Sequence, residues 1–362
     1  MSARVATLRS DRRRFCKLAG AALALPAIGG CGRTIEGDPA VPRSPFDEDS
    51  TAIEVTEGVD LTGRIIVVTG CTSGIGFETM RALALCGAYV VGTGRRLERA
   101  RAACSQVRGV TTPVALELSD FDSVVACAKA IRSLNSPVDA LICNAGMRGH
   151  ALERVNGLEK HFVVNHLGHF VLVNRLLDRL FFANQGRVVV VASRSAYKGA
   201  PPAGIEFDNL DGAGGYDAST AYAHSKLANA LFSLELARLL KGTRITSNAL
   251  HPGVIDTEID RNMSALAQFA FGLATRITGK SAEEGAATSC FVATSPLLGS
   301  ISGRYFEDCN AVLVDGAHHL RDQAMATRLW QVSEEHTRPW LVEHSRPDWN
   351  EFEHGLRRRK DS

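Results

Sequence analysis

A doubly wound α/β domain, about seven parallel strands with helices on both faces, is predicted by three observations. Short β-branched runs alternate with helical patterns from residue 61 to about residue 340. The first run, Ile65 to Val68, passes directly into the glycine-rich turn Gly70-Cys71-Thr72-Ser73-Gly74-Ile75-Gly76. Later elements end in, or carry, Asn144-Ala145-Gly146, Ser193 and Tyr222-x-x-x-Lys226. Alternation at this spacing implies right-handed crossovers and a ligand site beyond the strand ends.

Taken in order, the chain opens with Arg12-Arg13-Arg14-Phe15-Cys16-Lys17 and the apolar run Leu18 to Ile28, closing on Gly29-Gly30-Cys31. A basic start before a short apolar run reads as an export signal, too short to span a bilayer. The arginine pair resembles the twin-arginine signal of bacteria, and the closing cysteine resembles a lipoprotein box. Residues 1–31 are therefore expected to direct the protein to the periplasmic side of the cell envelope, with Cys31 as a lipid anchor. If the signal does not function, the protein is cytoplasmic. Residues 32–60, rich in Pro, Asp, Glu and Ser, read as a flexible tether.

The formal net charge of +2 comes from this front: without residues 1–31, 35 basic residues face 38 acidic ones. The body has no basic bias toward nucleic acid. Nine cysteines with no CxxC pair read as buried thiols.

The glycine turn after Ile65–Val68 lets backbone approach a pyrophosphate, with the helix over 77–86 presenting N–H groups to it. Gly70, Thr72, Ser73, Gly74, Ile75 and Gly76 are the expected contacts. A second strand, Tyr89 to Gly92, is followed by Gly94-Arg95-Arg96, where an acid would hold the ribose of NAD. Arginines there suit a 2′-phosphate, which favours NADP over NAD. A third strand over 114–118 puts Leu118 where an adenine would lie. A helix over 120–134 follows, with Ser119 as its cap. The strand Val138 to Cys143 leads into Asn144-Ala145-Gly146. A single long helix is expected over 157–182, holding Asn165. The strand Val188 to Ala192 ends at Ser193. A helix over 218–240 places Tyr222 and Lys226 on one face. The strand Ile245 to Leu250 ends in His251-Pro252-Gly253.

These pieces together resemble the short-chain dehydrogenase/reductase family. The run His161-Phe162-x-x-Asn165-His166-Leu167-Gly168-His169-Phe170, the run Tyr222 to Asn229 and Gly303-Arg304-Tyr305-Phe306 resemble its retinol dehydrogenase and WW-domain oxidoreductase branch. The resemblance spans residues 60–340 and implies a Rossmann-type sheet and a tetrad of Asn165, Ser193, Tyr222 and Lys226. One departure is Cys143, where the family more often has asparagine.

The implied chemistry interconverts an alcohol and a carbonyl by hydride transfer, on a lipophilic small molecule by analogy with the branch. A tyrosine is mostly neutral at pH 7, and a cation beside it stabilises the phenolate. Tyr222 would donate or accept the proton, Ser193 would hold the substrate oxygen, and Asn165 would hold a relay water. Pro252, Gly253 and Thr257 would line the nicotinamide end. Two other classes are weighed: a non-enzymatic NADP-binding scaffold, which keeps the fold, and a sugar-nucleotide epimerase, which the glycine spacing argues against. His166, His169, His224 and His251 read as structural, with no acid or cysteine at ligand spacing, so no metal is expected.

Further on, the apolar stretch over 259–278 suits either a lid or a core helix. Ser281-Ala282-Glu283-Glu284 opens a helix to about residue 294. A last strand is expected over 303–306, a helix with Trp330 over 324–336, and a frayed tail after 340.

Overall fold

The structure, a computed structural model, describes residues 34–253 and 280–341. Arg12, Arg13, Cys31, Thr257, the stretch 259–278 and the tail from 342 onward lie outside the described residues.

One nine-stranded sheet forms the middle layer. Its strands are β1 (Ile35–Gly37), β2 (Ile65–Val68), β3 (Tyr89–Gly94), β4 (Val110–Ala115), β5 (Ala140–Cys143), β8 (Gly186–Val191), β9 (Ile245–His251), β10 (Tyr305–Glu307) and β11 (Asn310–Val314). A separate small hairpin pairs β6 (Arg154–Val155) with β7 (Leu158–Glu159). The order across the sheet is β1-β11-β10-β9-β8-β5-β2-β3-β4. From β4 to β10 every pairing is parallel; β11 and β1 then add antiparallel. The chain reverses direction across the sheet between β2 and β5, so the ends of these two strands flank the switch point where such sheets bind ligands.

Strand alternation divides the apolar residues between two cores. Val67, Leu141, Val188 and Val190 face α4 (Phe121–Arg132), α5 (Gly168–Phe181) and α7 (Ala218–Leu239). Ile66, Val68, Ile142 and Val189 face α2 (Gly74–Leu85), α3 (Leu97–Cys104) and α8 (Ala282–Thr294). Both faces of the central strands are covered, which explains their unbroken Val/Ile/Leu runs. The C-terminal helix α9 (Gln323–Thr337) closes the first core. Its Trp330 stacks on Phe232 at 5.8 Å and meets Phe170 edge-on at 4.8 Å. Glu235 on α7 accepts from Arg238 and Thr327, fixing α9 against α7.

The structure departs from the sequence reading in several places. Residues 35–60 are not a tether. β1 pairs with β11, and α1 (Ala52–Val55) is closed by a Thr51–Glu54 capping box. Val41, Ala52, Val55 and Leu61 are buried, and Phe46 packs edge-on against Phe291 at 5.9 Å. The polar residues that suggested disorder are turn and cap residues around these few apolar anchors.

The strand expected over 114–118 begins earlier, at Val110. It lies at the sheet edge, where Pro113 needs no partner for its missing N–H. Asp120, not Ser119, caps α4, accepting from the N–H groups of Asp122 and Ser123; the Ser119 hydroxyl donates to Glu117 instead. α2 starts at Gly74, inside the glycine turn.

The single helix expected over 157–182 is three elements: β7 of the hairpin, a π-helix (Phe162–Leu167) and α5. Asn156 and Gly157 both have positive φ, 51° and 81°. This is the two-residue turn that Asn-Gly favours between strands.

Candidate active site

The ends of β2 and β5 are stitched together by Thr69. Its hydroxyl accepts from the N–H groups of Asn144 and Ala145, each at 2.9 Å. The Asn144 side chain donates in turn to Thr69 O at 2.8 Å. The Thr69 hydroxyl hydrogen faces Nε2 of His169 at 3.0 Å and the Ile142 carbonyl at 3.3 Å. Nδ1 of His169 then carries the proton and donates to the Asn165 carbonyl at 3.0 Å. His169 thus joins the glycine turn to the π-helix. Burial and the Lys226 charge push its pKa down to about 4.

The turn itself is a cradle that only glycine leaves open. A Cβ on Gly76 would run into Gly70 O and the Asn144 amide. Ser73 precedes α2 without a side-chain cap, and no acid lies in the first turn. The leading N–H groups of α2 therefore suit an anion such as a dinucleotide pyrophosphate. Thr72 and Ser73 are exposed beside them, with Gly74 and Ile75 half-buried. The Cys71 N–H donates to Thr93 O at 2.9 Å and seats the turn on β3. Arg95 and Arg96 are exposed just past the end of β3. Leu118 is buried, and a Cβ on Gly168 would meet its Cβ at 2.8 Å, so α5 packs tightly on that segment.

α7 begins at its Asp217 cap and brings Tyr222 and Lys226 together. Lys226 Nζ lies 5.8 Å from the Tyr222 ring centre and donates to Val191 O at 3.0 Å. The lysine is buried, and among the described residues no carboxylate pairs with it. Burial alone pushes its pKa down to about 8. Gly146 fills the gap beside it: a Cβ there would stand 3.4 Å from Lys226 Nζ and 3.2 Å from Asn165 Oδ1.

Asn165 is fully buried on the π-helix, an irregularity that recurs at functional sites. Its amide donates to Met147 O at 3.1 Å and Ser225 Oγ at 2.9 Å, and Oδ1 accepts from Met147 N–H at 2.8 Å. Both amide hydrogens are used within the protein. The side chain is therefore a brace, and a relay water would find only oxygen lone pairs on this residue. Ser193 leaves β8 at the start of α6 (Ser195–Lys198), its Oγ accepting from Ser195 N–H at 3.1 Å. Pro252 is buried after β9, and Gly253 has φ of 103° under the Lys280 side chain.

The other expected structural histidines are committed to packing. His166 bonds Ser333 at 2.7 Å, and burial with two neighbouring histidines pushes its pKa down to about 3. His224 accepts from Glu206 N–H at 3.1 Å. His251 is buried at the end of β9. The buried Cys143 thiol is pushed up by desolvation. Among the described residues no cluster of three or more His, Cys, Asp or Glu side chains could hold a metal.

Two features at the site were not singled out from the sequence. Arg148 sits with its guanidinium carbon 5.4 Å from the Tyr222 ring centre. A buried pair, Glu159 and His161, lies behind it. The signal was present as Glu159-x-His161, but reading this stretch as one long helix hid it.

A model of the short chain dehydrogenase family matches residues 64–204. WW domain-containing oxidoreductase of Gallus gallus is 39% identical over 83% of this chain and 75% of its own length. Retinol dehydrogenase 12 of Mus musculus is 39% identical, over 77% of this chain and 87% of its own. Among solved structures, an uncharacterized protein of Mycobacterium paratuberculosis superposes with a TM-score of 0.63 at 28% identity, over 80% of this chain and 98% of its own.

Proposed function

The chain belongs to the short-chain dehydrogenase family, and on that premise we propose that it interconverts an alcohol and a carbonyl with NADP(H), using Tyr222 as acid and base. The observation that carries this reading is Lys226 alongside Tyr222, buried and without a carboxylate partner among the described residues, beside Gly146 just past the end of β5. A cation held there stabilises the phenolate form of its neighbour. In reduction Tyr222 donates its proton to the developing alkoxide; in oxidation it takes one. Ser193 holds the same oxygen, and Asn165 fixes the loop and helix turn that carry the pair. The nicotinamide, when bound, supplies or accepts the hydride. Gly70, Thr72, Ser73, Gly74, Ile75 and Gly76 would hold the pyrophosphate, with Asn144, Ala145, Gly146, Pro252, Gly253 and Thr257 toward the nicotinamide. Arg95 and Arg96, exposed and with no acid between them and the end of β3, support NADP over NAD.

A lipophilic substrate is suggested by the retinol dehydrogenase relatives. Purified protein is expected to oxidise NADPH, faster than NADH, with a member of a carbonyl panel that includes all-trans-retinal and long-chain aldehydes. NADP binding without turnover of any panel member would overturn the enzymatic reading in favour of a scaffold.

The arginine pair and Cys31 support an exported, lipid-anchored form. Free NADP is scarce outside the cytoplasm, so such a form would carry its nucleotide from before export. Mass spectrometry of the protein isolated from the cell envelope is expected to find a lipidated Cys31 and a retained NADP. Recovery only from the cytoplasm with residues 1–31 intact would refute export.

A further inference from the structure

Glu159 and His161 tie two backbone groups together behind Tyr222, the N–H of Gly149 and the N–H of Phe162. Gly149 N–H donates to His161 Nε2 at 2.7 Å. A backbone amide can only donate, so the imidazole proton sits on Nδ1, which donates to Glu159 Oε1 at 2.7 Å. The other oxygen, Oε2, accepts the Phe162 N–H at 3.0 Å, at the start of the π-helix that carries Asn165. Both side chains are buried, at 1% and 6% exposure. Burial pushes the Glu159 carboxyl up, but hydrogen bonds from His161 and Phe162 outweigh it and hold it below the usual range.

The loop leaving β5 is consequently gripped on both sides of Arg148. Asn165 takes both backbone groups of Met147, and His161 takes the N–H of Gly149. Arg148 is thereby held over one side of the Tyr222 ring. The His161 ring itself meets Tyr222 edge-on, centre to centre at 6.2 Å and 77°.

We propose that the Glu159–His161 pair is a positioning element for the tyrosine: it fixes the loop and the ring contact that hold Tyr222 in line with the reacting carbonyl. An apolar side chain of similar volume would fill the same space without burying a carboxylate, which is costly unless fully bonded. What the pair adds is directional: through their mutual bond, the loop at Gly149 is tied to the start of the π-helix at Phe162. Misplacing a reacting group by about 1 Å can cost on the order of 10²-fold in rate. The proposal rests on the reading of Tyr222 as acid and base.

The test uses the full chain labelled with 3-fluorotyrosine. It has five tyrosines, and the fluorine signal of Tyr222 is identified by its loss in Tyr222→Phe. His161→Phe keeps an aromatic ring, slightly larger, and removes both hydrogen bonds. Its Tyr222 signal is expected to move and broaden, and kcat with all-trans-retinal to fall about 10- to 100-fold. NADPH affinity, read by fluorescence titration, is expected to stay within about twofold of wild type, because none of the altered contacts reaches the glycine turn.

His161→Gln offers a donor to Glu159 and an acceptor to Gly149, and is expected to recover most of both effects. Glu159→Gln loses one acceptor and is expected to fall between; it replaces His161→Phe if that variant does not fold. An unmoved Tyr222 signal with unchanged kcat in the variant used would overturn the proposal. So would His161→Gln as impaired as His161→Phe, or NADPH affinity falling in step with kcat. If wild type turns over no carbonyl, the oxidoreductase reading fails, while the fluorine spectra still decide the positioning role.

Discussion

Lys226→Met is expected to melt at a higher temperature than wild type while losing turnover by at least about 10³-fold. Both effects follow from one buried ammonium. An ordinary lysine titrates near 10.5, and this one is pushed down to about 8 by burial. Above the ordinary value neither state carries the charge and there is no penalty. As pH falls from about 10.5 to about 8 the unfolded chain takes up the proton first. Below about 8 both states hold it, and the folded state bears a penalty of about 3 kcal/mol.

Methionine fills similar space without that charge. The Val191 carbonyl is not orphaned by the change, because Asn229 Nδ2 also donates to it at 3.1 Å. A gain of that size corresponds to a rise of roughly 5 °C or more for a domain this large. Calorimetry at pH 7.5, beside an NADPH oxidation assay, reads both halves. Tyr222→Phe should match the loss of turnover without the gain in stability. A Lys226→Met protein that melts lower, or still turns over substrate, would break the link between the buried charge and the chemistry. Retaining a destabilising group at a working site is a common trade between stability and activity.

Acid is expected to weaken the fold well before its carboxylates titrate. His166 and His169 are buried, with pKa values pushed down to about 3 and about 4. In the unfolded chain both titrate near 6.5. Between those limits the unfolded state binds more protons, so stability rises with pH across the window and is lost as pH falls through it. At pH 5 each imidazole favours unfolding by about 2 kcal/mol, so the two together remove about 4 kcal/mol. The urea midpoint should drop by about 1 M or more between pH 7.5 and pH 5. His166→Phe should recover part of that drop, because His169, His224 and His251 are pushed down by burial as well. The surroundings of His166 are already Phe162, Phe170 and Phe232, and Ser333 keeps its bond to Leu329 O. Equal midpoints at the two pH values would show that these imidazoles gain protons without cost.

The alternation of strands and helices was legible because central strands buried on both faces must be apolar throughout. Tyr222 and Lys226 were legible because four-residue spacing on a helix fixes relative direction. What escaped was decided by other rules. The Asn156-Gly157 turn is a hairpin signal set inside an apolar run that also scans as helix. Residues 35–60 have the composition of a linker, yet Val41, Ala52 and Val55 find a surface that only the completed fold provides. Glu159 and His161 are two residues apart, but their third partner, Gly149, is brought in by the fold. Asn165, expected at the site, lies in the fold against Met147 and Ser225. Its side chain serves as a brace, because the loop from Met147 reaches its amide before solvent does.

The margins of the sheet have a consequence of their own. An unpaired strand is a template on which another molecule can add by main-chain bonding, the usual start of self-association. Here β4 has Val110 61% exposed at its start, but Pro113 interrupts its hydrogen-bonding row. At the opposite margin β1 is only three residues long. Neither border of the described sheet gives an incoming chain a long uninterrupted ladder to read.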